Sequence, residues 1–276
     1  MSKSNLAVRL TTAAVVSPLI LCTLFFAPPW AWLLVILSAT AIGANEFFHM
    51  THPDDRVARI IGVISTVAVG AAVYFFHTDA QALLTVLLVV PLVGLLVPLW
   101  RLGDIKTGAL RMLGGVAGPL YVGGLLATNA MLRRDMGDQG GGAVVFVLLI
   151  AWWGDTGGYF AGRAFGKHKL YAAVSPKKTW EGFFGSLGGS VVGAVSSQLL
   201  FVPAIPLVHA IVLALVCGAL GQLGDLVESL LKRSCGIKDS GGAIPGHGGI
   251  LDRLDAVLVV SPLVYLYLSH TGRLVG

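Results

Sequence analysis

The chain has 276 residues, 55% hydrophobic and only 12% charged, with a mean hydropathy of +0.82 and a formal net charge of +5. A soluble domain carries about a quarter charged residues, so this composition excludes an ordinary soluble fold. Continuous apolar runs of about 18 residues or more, without the alternation of barrel strands, indicate an all-α, polytopic membrane helical bundle.

Nine spans are expected, at about 9–26, 30–48, 58–76, 80–100, 110–132, 143–164, 181–201, 205–230 and 254–270. The first follows Lys3 and Arg9, as a secretory signal would. It lacks a small-residue cleavage site and reads as a retained anchor. The fifth is interrupted by Gly114, Gly115, Gly118 and Pro119, residues that also let helices approach closely. With nine spans, all but Arg133, Arg134 and Arg273 of the 19 Lys and Arg residues fall on one side. The positive-inside rule then places the N-terminus in the cytoplasm and the C-terminus outside.

The basic residues are scattered among short loops, which suits anionic lipid and argues against nucleic acid. Cys22, Cys217 and Cys235 form no CxxC pair and suggest neither a disulfide nor a zinc site. Residues 1–140 carry few charges in their spans and read as a scaffold. Residues 141–276 hold the polar patches and read as the catalytic region, with cytoplasmic loops.

The first patch lies inside the sixth span, AWWGDTGGYFAGRAFGKHKL. Asp155 interrupts an apolar run, where a carboxylate is costly unless it faces the protein interior or a watery cavity. Tyr159 and Arg163 follow at four-residue steps on the same helical face, so a purely structural Asp155–Arg163 pair is the alternative. The second patch is SPKKTWEGFFG, residues 175–185. Ser175 is expected to cap a helix that starts at Pro176, which would put Lys177 and Lys178 in its first turn. Cations are disfavoured there by the helix dipole, and an anion bound at that end would account for them. Positive-inside bias or snorkelling accounts for the same pair without any ligand. Thr179 lies beside these lysines, and Glu181 calls for a lysine or a metal as partner.

The third patch begins as GQLGDLVESLLKR. Gln222, Asp225, Ser229 and Lys232 recur at helical spacing on one face, with Glu228 beside them. The loop that follows supplies Arg233, Lys238, Asp239, His247, Asp252, Arg253 and Asp255. Its glycines, Gly248 and Gly249 among them, let backbone N–H groups approach an anion. Carboxylates without a Cys or His cluster suit a hard cation such as Mg2+, and Lys and Arg suit phosphate oxygens. Together they are the equipment of phosphoryl or nucleotidyl transfer. His247 suits phosphate binding, proton relay or a turn, and no P-loop motif is present.

Ser229-x-Leu231-Lys232-Arg233, four residues, Lys238-Asp239, and then Pro245-x-His247-Gly248-Gly249-x-x-Asp252-Arg253-x-Asp255 form an unbroken 27-residue pattern. It resembles the signature of phosphatidate cytidylyltransferases, or CDP-diacylglycerol synthases. SPKKTWEG and the Asp155 segment resemble that family too, whereas residues 1–140 do so only in hydropathy and length. The resemblance implies that CTP and phosphatidic acid condense to CDP-diacylglycerol and pyrophosphate at the inner membrane, with the site facing the cytoplasm. It implies a catalytic group of Asp225, Asp252, Asp255, Lys232 and Arg253. Mg2+ would lie on Asp225 and Asp252, with Asp255 as an alternative or second ligand. Substrate phosphates and their surroundings would fall to Asp155, Ser175, Lys177, Lys178, Thr179, Glu181, Arg233, Lys238, Asp239, His247, Gly248 and Gly249. A second, monovalent cation and a homodimer are further implications. A CTP-dependent lipid kinase of the polyprenol type, an enzyme acting on an unsaturated archaeal ether lipid, and an ion-coupled transporter are the rival readings.

Overall fold

A computed structural model describes residues 14, 17–243 and 248–274. The chain is an all-α polytopic membrane protein. Helix α1 is Ser17–Phe26, apolar and short; the earlier part of the first expected span lies outside the described residues. Then come α2 (Pro29–Thr51), α3 (Arg56–Phe76) and α4 (Ala80–Trp100). The fifth expected span is α5 (Gly108–Gly118), a π-helical turn (Pro119–Gly124) and α6 (Leu125–Asp135). The run of glycines and Pro119 thus widens the helix rather than ending it. The rest is α7 (Gly140–Phe165), strands β1 (Lys169–Tyr171) and β2 (Ser175–Thr179), α8 (Trp180–Leu200), α9 (Leu207–Ser234) and α10 (Leu251–His270).

Among the described residues, seven helical segments are long and apolar enough to cross a membrane. The shortest of them have 21 residues, about 31 Å at a rise of about 1.5 Å per residue, which matches a hydrocarbon core of about 30 Å. The 20-residue α10 is not among the seven; it opens with Asp252, Arg253 and Asp255 and contains Pro262.

The chain divides into two compact units, residues 1–130 with 239–252, and residues 131–238 with 253–276. In the first, Phe48 of α2 packs where α3 and α5 carry only Gly62 and Gly118, and a Cβ at either position would strike its ring. Helices α4 and α5 meet at Gly94 and Gly115, where each backbone occupies the space of the other's missing Cβ. At the end of α2 and the start of α3, Asp55 caps Ala58 at 3.0 Å and binds Arg101 Nε at 2.8 Å and Arg111 Nη2 at 2.9 Å. Burial alone would raise the Asp55 carboxyl, but the hydrogen bonds from Arg101 and Ala58 and the two guanidinium charges hold it below the usual range.

His52, the C-cap of α2, is buried beside this cluster. Burial, and then the Arg111 charge, push its imidazole from about 6.5 down to about 4. The unfolded chain therefore binds a proton that the folded one refuses as pH falls between those values. His52 stabilises the fold fully above its ordinary value, and that contribution drains away on acidification from about 6.5 towards 4. Detergent-solubilised protein should lose Tm across this window, and His52→Asn should flatten that slope. Parallel curves for the two proteins would refute the assignment.

In the second unit, α7 and α8 lie against each other along glycines. A Cβ at Gly189 would collide with the Trp153 carbonyl, and one at Gly157 with that of Gly185. Ser190 Oγ donates to the Ile150 carbonyl at 2.9 Å across the same seam. Residues 140–147 of α7 are buried, whereas Asp155, Tyr159 and Arg163 in its second half are exposed.

Candidate active site

The second unit gathers the first two patches and the helical part of the third. A cavity of about 350 Å³ belongs to the other unit; here an open cavity of about 320 Å³ is lined by Asp155, Tyr159 and Arg163 of α7, Lys177, Lys178 and Thr179 of β2, and Gln222 and Asp225 of α9. Gly158, Gly162 and Gly182 form the rest of the wall, so backbone rather than side-chain bulk faces the space.

Lys178 is the hinge of the electrostatics. Its Nζ lies 2.7 Å from Asp225 Oδ2 and donates to the Gln222 carbonyl at 3.3 Å. Ser229, one turn along α9, donates to Asp225 Oδ1 at 3.2 Å. Arg163 donates to the Tyr159 hydroxyl at 3.0 Å, so the hydroxyl orients the guanidinium. Asp155 and Asp225 repel each other, and Lys178 and Arg253 offset part of that repulsion. Asp255 of α10 is within electrostatic reach of Asp225, Glu228 and Asp155. Lys232 Nζ sits 3.1 Å from the buried Glu228 carboxylate and serves it as counter-ion.

The lysine patch is reached by a different local structure from the one the sequence suggests. Ser175 does not cap a helix, and Lys177 and Lys178 are not in a first turn. Residues 175–179 form β2, antiparallel to β1, with Tyr171 opposite Ser175 and Lys169 opposite Thr179. Thr179 is the cap, its Oγ1 accepting from Gly182 N at 3.1 Å. The physical reason is that the hairpin uses the backbone of 175–179 for strand pairing, and it keeps both ammonium groups out of the positive end of α8. Glu181 takes the first-turn place that suits an acid. It meets His168, whose Nδ1 is 2.6 Å away, together with the backbone N–H groups of Lys167 and His168.

The remaining signature residues fall into two sets. Arg233 closes the end of α9 by donating to the Ile237 carbonyl at 3.1 Å, while Lys238 and Asp239 are exposed. Residues 239–252 belong to the first unit, where Asp252 Oδ2 accepts from Ser240 N at 3.0 Å, Ser240 Oγ at 3.0 Å and Gly249 N at 3.2 Å. Gly248 adopts a φ of +84°, a left-handed turn that favours glycine. His247 and Pro245 lie outside the described residues.

This loop depends on a residue that the motif reading passes over. Glu46 of α2 is 5% exposed. Its carboxylate accepts from Ser240 Oγ at 2.9 Å, Ile250 N at 3.0 Å and Leu251 N at 3.1 Å. It thereby neutralises the first free N–H groups of α10. The signal was available: a lone acid inside an apolar run, as with Asp155.

Among the described residues, no three His, Cys, Asp or Glu side chains form a ready metal cage. That is compatible with Mg2+ in a phosphate site, which uses one or two carboxylates and completes its shell with water and substrate oxygens. The hard oxygen donors of Asp225, Asp255 and Asp155 fit such an ion, and their mutual repulsion gives them a reason to bind one.

Residues 7–271 match the cytidylyltransferase family. The phosphatidate cytidylyltransferase of Bacillus subtilis (strain 168) is 43% identical over 136 residues, 49% of this chain and 51% of that protein. That of Staphylococcus epidermidis (strain ATCC 12228) is 45% identical over 128 residues, 46% of this chain and 49% of its own. That of Brucella suis biovar 1 is 33% identical over 279 residues, 96% of this chain and 93% of its own. The chain therefore spans about half the length of the Bacillus and Staphylococcus relatives it matches, and nearly all of the Brucella one. With that extent of similarity, the chain belongs to the cytidylyltransferase family.

Proposed function

We propose that this protein is an integral membrane nucleotidyltransferase that condenses CTP with phosphatidic acid to give CDP-diacylglycerol and pyrophosphate. The observation that carries the proposal is the cavity where Lys177, Lys178 and Arg163 face Asp155 and Asp225. Cations for phosphate oxygens and carboxylates for a hard cation share one small space, on a membrane protein whose relatives carry that name.

In the proposed reaction, a phosphate oxygen of phosphatidic acid attacks the α-phosphorus of CTP. The bond from that phosphorus to the oxygen bridging to the β-phosphate breaks, and pyrophosphate leaves with the electron pair. The nucleophile is already ionised near neutral pH, so no strong general base is needed. Lys177, Lys178 and Arg163 hold phosphate oxygens and offset charge on the departing pyrophosphate, with Lys232, Arg233, Lys238 and Arg253 adding positive charge. Tyr159 aims Arg163. Asp225 and Asp255 would hold Mg2+, which would neutralise triphosphate charge. Asp252 holds the glycine loop in shape.

The basic-residue bias supports nine spans, a cytoplasmic N-terminus and a site open to the cytoplasm at the inner membrane. The reading is tested by following pyrophosphate from purified protein in detergent. Release should require CTP, phosphatidic acid and Mg2+ together. Release without the lipid, or with a lipid alcohol in its place, would overturn it.

A further inference from the structure

We propose that the start of α3 carries a binding site for an anionic glycerophospholipid, built from Arg56, Arg59 and Asn45 for the headgroup phosphate and Ile60, Val63 and Ile64 for an acyl chain. These six residues line an open cavity of about 350 Å³ in the first unit. None of them belongs to the polar cavity described above.

Two observations point to a ligand. The first is the charge left over at this end of α3. The acid that caps the helix, Asp55, is bound by Arg101 and Arg111. Among the described residues, Arg56 and Arg59 take part in no ion pair. Arg59 Nη1 is held by His49 Nδ1, while its Nε is buried without a hydrogen-bond partner. Both guanidinium groups line the cavity and that of Arg59 is fixed in direction, which suits an anionic oxygen brought from outside. The second is the surface that continues from it. Arg56, Ile60, Val63 and Ile64 fall on one face of α3 by helical spacing. Ile60 and Ile64 are 49% and 63% exposed, respectively. A cation pair at a helix end running into an apolar strip along a membrane span matches one phosphate joined to hydrocarbon. Free phosphate would use only the first half.

The site is tested on the full chain in detergent, by native mass spectrometry during titration with dioleoyl phosphatidylglycerol. Dioleoyl phosphatidylcholine and inorganic phosphate serve as comparators. Replacing both arginines, R56Q/R59Q, should weaken phosphatidylglycerol binding about tenfold and leave phosphatidylcholine unchanged. Val63→Trp keeps the charges and fills the strip, and it should weaken the same binding, which covers the case of a double variant that fails to fold. Millimolar phosphate should not displace the lipid. Unaltered phosphatidylglycerol binding in V63W or in folded R56Q/R59Q would overturn the proposal, leaving the arginines as solvated positive-inside residues. Displacement by phosphate alone would overturn it in favour of a simple anion site.

Discussion

Asp225→Asn should reduce turnover by about 10²–10³-fold, the loss expected when one preorganised charge at a reacting centre is removed. The substitution keeps shape and hydrogen-bonding capacity, and Ser229 can still donate to the remaining oxygen. What it removes is a negative charge that is paired with Lys178 at 2.7 Å and that shares its surroundings with Asp155 and Asp255. Lys178 would lose its direction, and a hard cation would lose a ligand. Because the change sits beside a cavity rather than in the packed seam of α7 and α8, the protein should insert and keep its Tm within a few degrees. Activity within a few-fold of the parent, at saturating CTP and Mg2+, would remove Asp225 from the machinery.

Glu46→Ala should be the most damaging change outside the polar cavity of the second unit. It strips the acceptor from the amides of Ile250 and Leu251 at once and leaves Ser240 Oγ with Asp252 alone. Each buried donor left without a partner costs about 1–3 kcal/mol, so a loss of several kcal/mol is expected. The loop from Ser240 to Asp252 is then no longer tied to α2, and turnover should fall more than tenfold along with the Tm. Gly249→Ala approaches the same contact from the other side. A Cβ there would collide with Ser240 Oγ and press on Glu46 Oε2. Both variants should therefore lose kcat in parallel. A Glu46→Ala protein with parental Tm and kcat would show that the loop holds its shape without this anchor.

Much of the molecule is legible in the sequence, for reasons that also explain what is not. Hydropathy finds the spans because a helix crossing lipid must satisfy its own backbone and face apolar neighbours. Helical spacing puts Asp155, Tyr159 and Arg163 on one face, and Gln222 and Asp225 on another. The Lys178–Asp225 pair joins two of the polar patches that composition alone makes conspicuous.

Hydroxyl residues at 175 and 179 are both competent caps, and only the pairing of 169–171 with 175–179 decides for Thr179. A hairpin this short leaves no periodicity to read. Glu46 lies about two hundred residues from its partners, Ser240, Ile250 and Leu251, and a motif confined to 229–255 has no place for it. The π turn at Pro119–Gly124 keeps a helical pattern in the sequence while altering the hydrogen bonding beneath it.

The most direct test of cytidylyl transfer is the fate of the two ends of CTP. The purified protein is given phosphatidic acid, Mg2+ and CTP labelled in parallel samples at the α- or the γ-phosphate, and lipid is separated from water-soluble products. The α-label should enter the lipid and the γ-label should appear as pyrophosphate in equal amount. A γ-label in the lipid, with the α-label left in water as CDP, would contradict the proposed reaction and establish a CTP-dependent lipid kinase in its place.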